Sequence, residues 1–249
     1  MGDHSDVYLH GLSESDWQKC WNIGISGSLS SAEYVRSVSD AKSRSVREIS
    51  IAELRNDPRC LQSFADHRTV WYVWAAAILR GDGKVGEGIS PYLTRWKTDA
   101  QKDDILLKSE RELACEEVRR AIAPDAASRL CSLFLAEEDG AGRSYVQHVM
   151  EARNEQFFIL RVRISASLRS HKADAHWFEE YASTGDMACL ENYWKSMPDP
   201  NFDTPQWEHL LEGAIVLCEQ GDDLQAGLKR LGIRGMKEAQ NLPKITEEQ

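Results

Sequence analysis

The feature that most limits how this chain can fold is a change of period along it. Between Val46 and Ala123 the apolar residues recur at helical spacing, whereas before and after that block they form short runs or alternate. Within the block a helix is expected to start after Ser50 and to be interrupted by Pro58. "FADHRTVWYVWAAAILRGDGKVG" predicts a strongly apolar helix through Leu79, ended by Gly81 and Gly83. "DDILLKSERELACEEVRRAI" predicts an amphipathic helix with Ile105, Leu106, Leu113, Val118 and Ile122 near one face, closed by Pro124. A helical block set between strand signals reads as an insertion. The expected organisation is an α+β domain made of residues 1–45 and 124–249, carrying a helical lobe of residues 46–123.

The flanks supply the strands. Val7–His10 reads as a short strand, and Ser13 with Asp16 as the start of a helix whose apolar face is Trp17, Cys20, Trp21 and Ile23. Gly24 is placed to end that helix, and the Ser-rich stretch after it reads as a loop with at most one short helix. Ser128–Glu138 reads as a strand with Leu130, Ser132, Phe134 and Ala136 on one face, and Gln156–Ser165 as another. "DMACLENYWKSM" predicts a short helix stopped by Pro198. In "PQWEHLLEGAIVLCEQ" a late strand is expected, with Glu208, Leu210 and Glu212 on one face. "LQAGLKRLGIRGMKEA" reads as a last helix broken by its glycines.

Charge and cysteine usage narrow the function. A net charge of −10 over 249 residues argues against a broad grip on phosphate backbones or anionic membranes. The 6 cysteines form no C-x-x-C pair, and His67, His148, His171 and His176 have no ligand spacing, so no metal is expected. Their scatter fits buried thiols in a reducing compartment. No run has the length of a membrane span, and "MGDHSD" lacks a secretory n-region. The expected place of action is a cytosol, which a bacterial effector injected into a host cell would also reach. P-loop, G-x-G-x-x-G, H-E-x-x-H and G-x-S-x-G patterns do not occur. Trp71, Tyr72 and Trp74 read as helix core.

Three segments then stand out by their order: "YLHGLSESDWQKCWNIGI", "SRLCSLFLAEED" and "WEHLLEGAIVL". Together they resemble the ADP-ribosyltransferase fold in its poly(ADP-ribose) polymerase-like branch. The resemblance implies a split-sheet fold that binds NAD+ as substrate. It implies that the Gly11 backbone holds the nicotinamide carboxamide and that His10 contacts the adenosine-side ribose. Leu12 stands where the family carries Ser or Thr. Ser132 or Phe134 falls where the family stacks an aromatic on nicotinamide. Glu208 matches the catalytic glutamate, with Glu212 as the fallback, and Asp174 in "HKADAHWFEEY" would be a second carboxylate.

A carboxylate at Glu208 has a defined task in that chemistry. Breaking the nicotinamide–ribose bond builds oxocarbenium character on the sugar, and a fixed negative charge stabilises it. A second acid would deprotonate a hydroxyl acceptor or orient the first. The Asp-Glu pair beside a separate lobe resembles the CteC-like bacterial effectors, which implies a protein acceptor, with a threonine of host ubiquitin as the specific case. The residues leave other readings open: an NAD glycohydrolase, a transferase acting on a nucleobase or small molecule, or a non-catalytic interaction protein on the same fold. Asp174 equally fits a helix N-cap.

Overall fold

Among the described residues, five strands pair into one wholly antiparallel sheet in the order β2-β5-β3-β1-β4. They are β1 (Val7–Ser13), β2 (Ser28–Ser30), β3 (Leu133–Glu137), β4 (Phe157–Asp174) and β5 (Trp207–Leu217). The structure is a computed structural model and describes residues 6–39, 43–64, 68–81, 98–152, 155–218 and 222–240; Gly83 and His67 lie outside them. β4 is the long member, with 18 residues. Its first part pairs with β1 and its second with β5, so β1, β3, β5 and β4 form a closed circuit of neighbours. Its alternation is lost after Ser165 because two register shifts, at Ile164/Ala166 and Ser167/Arg169, break the period of two.

Each sheet face is covered by helices. Tyr8, Leu12, Leu133, Leu135, Leu211 and Ile215 face α1 (Trp17–Ser26) and α9 (Asp222–Gln240), through Cys20, Ile23 and Leu228. On the other face, Leu9 and Ala136 pack under Val146 and Met150 of α6 (Gly140–Glu151). Ala173 and Leu210 lie under α7 (Ala175–Thr184) and α8 (Met187–Trp194), with Trp177, Tyr193 and Trp194.

The helical block contains α3 (Ile51–Asn56), α4 (Arg68–Arg80) and α5 (Asp99–Ile122), with 3-10 turns at Val46–Glu48 and Pro58–Phe64. Capping boxes start α3 at Ser50 and α5 at Thr98. Val70, Val73, Trp74 and Ile78 of α4 close one core with Ile105 and Leu113 of α5. Farther along α5, Cys115 and Val118 join the core under α8. One helix thus belongs to both the block and the sheet. No helix among the described residues is long and apolar enough to cross a membrane.

Four expectations are corrected. α1 runs through Gly24 to Ser26, and the left-handed residue that ends it is Gly27, at φ 67°. Gly24 is instead a contact point, since a Cβ there would lie 2.6 Å from the Lys229 backbone nitrogen of α9. The Ser-rich stretch holds β2 and α2 (Ala32–Val38), because Ser31 both caps α2 and accepts from Gly213 N of β5. α9 is unbroken, and β3 starts only at Leu133, leaving Leu130 and Ser132 in the turn before it.

Candidate active site

Glu208 shares its sheet face with Ala136 and Leu9, through the pairs Ala136↔Glu208 and Leu9↔Ala136. Leu210 and Glu212 follow on the same face, as the alternation predicts. Glu208 is 1% exposed. Its Oε1 accepts from the Tyr193 hydroxyl (2.5 Å) and from Arg129 Nη1, and its Oε2 accepts from the Tyr145 hydroxyl at 3.0 Å. The other edge of Arg129 faces Glu112 of α5, with Nε 3.2 Å from Oε2 and Nη2 3.4 Å from Oε1. The guanidinium carbon lies 3.9 Å from the ring centre of Phe178, 5.0 Å from Phe134 and 5.4 Å from Tyr193.

The charges in this cluster are settled by burial and by one another. Burial opposes the Arg129 charge, but Glu112 and Glu208 outweigh it and hold the group well above its ordinary value. Burial pushes the Tyr145 and Tyr193 hydroxyls well up, and the Glu208 charge adds to this. Both tyrosines are therefore neutral donors to a carboxylate clamped by a permanent cation.

Glu212 sits in a second cluster. Its Oε1 accepts from Arg47 Nη2 (2.9 Å) and Ser128 N (2.8 Å), and its Oε2 from Arg169 Nη1 (3.1 Å). Beside it, Glu116 pairs with Arg119 at 2.8 Å and accepts from Ser128 Oγ. Glu212 therefore ties the start of the helical block to β4, β5 and the turn before β3.

The remaining expected residues are placed apart from Glu208, except Phe134. Phe134 faces the same Arg129. His10 alternates with Leu9 and so lies on the opposite sheet face, where its Nδ1 donates to Phe134 O at 2.9 Å. Gly11 is covered by α6: a Cβ there would lie 2.8 Å from the Met150 side chain. Leu12 is core, and Ser132 Oγ donates to Ser128 O at 2.7 Å. Asp174 pairs with Trp207, whereas Ala173 pairs with Glu208, so Asp174 is the last residue of β4 and one step out of phase with Glu208. There it caps α7 at His176 N and accepts from Asp199 N (2.9 Å) and Gln206 N (3.0 Å).

A hollow of about 170 Å³ has Glu137, Asp139, Gly142, Pro205 and Trp207 in its walls, and none of Glu208, Arg129, Tyr145 and Tyr193 lines it. Trp207 precedes Glu208 in the chain, and Gly142 lies on the first turn of the helix that carries Tyr145. Asp139 Oδ1 caps that helix by accepting from Gly142 N at 2.7 Å. Among the described residues, no group of three or more His, Cys, Asp or Glu is arranged to hold a metal ion.

Sequence reasoning missed Tyr145, Tyr193, Arg129 and Glu112. Tyr145 sits on the helix that follows β3, and no pattern in the sequence marks it. A family model described as protein of unknown function (DUF2441) matches residues 94–223, more than half of the 249. The match runs from just before α5 to the start of α9 and includes Glu112, Arg129, Tyr145, Tyr193 and Glu208. No curated protein matches the chain.

Proposed function

The chain belongs to the DUF2441 family, and we propose that it is an NAD+-dependent mono-ADP-ribosyltransferase in which Glu208 is the catalytic carboxylate. One observation carries the reading. The three segments whose order resembles the ADP-ribosyltransferase fold are the adjacent strands β1, β3 and β5, and the last of them presents a glutamate fixed by an arginine and two tyrosines.

The chemistry needs that fixation. The bond between nicotinamide nitrogen and ribose C1′ breaks, and nicotinamide leaves as a neutral molecule with the bonding pair. Positive charge grows on the sugar, and a carboxylate already oriented in a water-poor site stabilises it without reorganising. The acceptor oxygen then bonds to C1′ and releases its proton to solvent. NAD+ is larger than a 170 Å³ hollow can hold, so in this reading the first turn of α6 and the segment ending at Trp207 separate to admit it. His10, Ser132 and Asp174 keep their structural bonds and are assigned no substrate contact. The acceptor is a protein side chain, and the resemblance to CteC-like effectors makes a ubiquitin threonine the specific candidate.

Release of nicotinamide from NAD+ by the full chain, and its loss in Glu208→Gln, tests the reaction. The mass of ubiquitin after incubation with the protein and NAD+ tests the acceptor. The burial of Glu208 favours a second reading, a non-catalytic binding protein whose polar core this cluster stabilises. Absence of nicotinamide release from the wild-type protein selects it.

A further inference from the structure

We infer that Arg129, braced by Glu112 of α5, is the positioning residue for Glu208; the inference rests on the reading of Glu208 as the carboxylate of ADP-ribosyl transfer. Arg129 lies in the turn between α5 and β3, where no helix or strand requires it. Taking a guanidinium out of water costs several kcal/mol even after relaxation, and apolar side chains fill such a space as well or better. The geometry gives the arginine another use. One edge of the fork holds Glu112 and the other holds Glu208, while Phe178 at 3.9 Å fixes the plane of the guanidinium. A planar group fixed on three sides leaves Glu208 one orientation.

That orientation separates the two oxygens of Glu208. Oε1 is tied to Arg129 and Tyr193, both anchored in the core, whereas among the described residues Oε2 accepts from the Tyr145 hydroxyl of α6. When α6 moves, Oε2 is released and Oε1 stays clamped, so Oε2 is the oxygen presented to the substrate ribose. Arg129 itself touches no substrate. Glu112 extends the brace into α5, so a helix that reads in sequence as part of a targeting lobe supports the reacting carboxylate.

The test is the steady-state release of nicotinamide from NAD+ by the full chain, compared among wild type, Arg129→Lys, Glu112→Gln, Glu208→Gln and the Arg129→Lys/Glu208→Gln double variant, with folding checked by circular dichroism. Lysine keeps the charge but loses the fork. The expected result is a kcat lower by about 10²-fold in Arg129→Lys and about tenfold in Glu112→Gln, with KM within about threefold. The double variant should be no slower than Glu208→Gln alone, because Arg129 acts only through Glu208. A folded Arg129→Lys or Glu112→Gln with kcat within about twofold of wild type, or additive losses in the double variant, overturns the inference while leaving the function intact. If Arg129→Lys does not fold, Glu112→Gln decides by the same criterion. No nicotinamide release from the wild type overturns the reading of Glu208, and the inference with it.

Discussion

Glu208 and Glu212 leave the same face of β5 and end on different arginines, Arg129 for the first and Arg47 with Arg169 for the second. The difference separates their roles. Arg129 is sealed among aromatic rings and joins Glu208 to Glu112, whereas Glu212 also accepts from the Ser128 backbone and holds the start of the helical block against the sheet. One carboxylate is held by an arginine and two tyrosines and the other fastens segments together.

Exchange of each glutamate for glutamine should therefore fail in different ways. Glu212→Gln breaks a buried charge pair with two arginines, and urea unfolding should show a loss of about 3–5 kcal/mol. Its nicotinamide release, corrected for the folded fraction, should stay within a few-fold of wild type. Glu208→Gln should lose about 10²–10³-fold in turnover. Turnover lost in Glu212→Gln and kept in Glu208→Gln would move the catalytic assignment to Glu212.

Asp174 offers a similar contrast. Its two oxygens accept from three backbone amides that gather α7 and the residues before β5. Asp174→Ala strands those donors in a fully buried place, and each unmet group costs about 1–3 kcal/mol. The variant should be strongly destabilised in urea unfolding. Asp174→Asn, which keeps one acceptor oxygen, should recover part of the stability with nicotinamide release near wild type. A stable Asp174→Asn without turnover would restore Asp174 as a second catalytic acid.

What could be read from sequence follows the range of the forces involved. The shared face of Glu208, Leu210 and Glu212 was legible because a strand's period is local. The start of α3 after Ser50 was legible because a capping box spans only four residues. β4 was read too short because two register shifts hide its period. Arg129 was invisible because an arginine in a turn is ordinarily solvated, and its burial depends on Glu208, 79 positions away. His10 and Asp174 were expected beside Glu208, but cross-strand parity, which no single segment encodes, sends His10 to the opposite face, and backbone amides distant in sequence take up the Asp174 carboxylate.

The glycines of α9 give a prediction opposite to helix propensity. Gly→Ala inside a helix ordinarily stabilises by up to about 1 kcal/mol. In α9, however, a Cβ on Gly232 would lie 2.6 Å from Trp21 Cβ, and one on Gly235 would lie 2.3 Å from Trp17 Cβ. Here the glycines let α9 approach α1 closely, and overpacking of this kind costs about 1–3 kcal/mol. Gly232→Ala and Gly235→Ala should each lower the unfolding temperature, whereas Gly227→Ala, with only the end of Arg230 within 4 Å, should not. A rise in Tm for Gly235→Ala would mean that α9 does not seat against Trp17.

Acid should loosen the protein through Glu116. Burial raises the Glu116 carboxyl, but Arg119 and then Arg120 outweigh it and hold the group below its ordinary value of 4.5. The folded state therefore keeps this carboxylate ionised at a pH where the unfolded chain has already taken up a proton. The sign follows from linkage: the contribution is fully present above about pH 4.5 and is lost as pH falls through the lower, folded value. Unfolding free energies measured from pH 7 to pH 3 should drop on the acid side in the wild type. Glu116→Gln, which has no proton to gain, should be less stable at neutral pH because Arg119 is left buried without its partner, and its acid-side slope should be shallower. An equal slope in both proteins would place the acid sensitivity in other carboxylates.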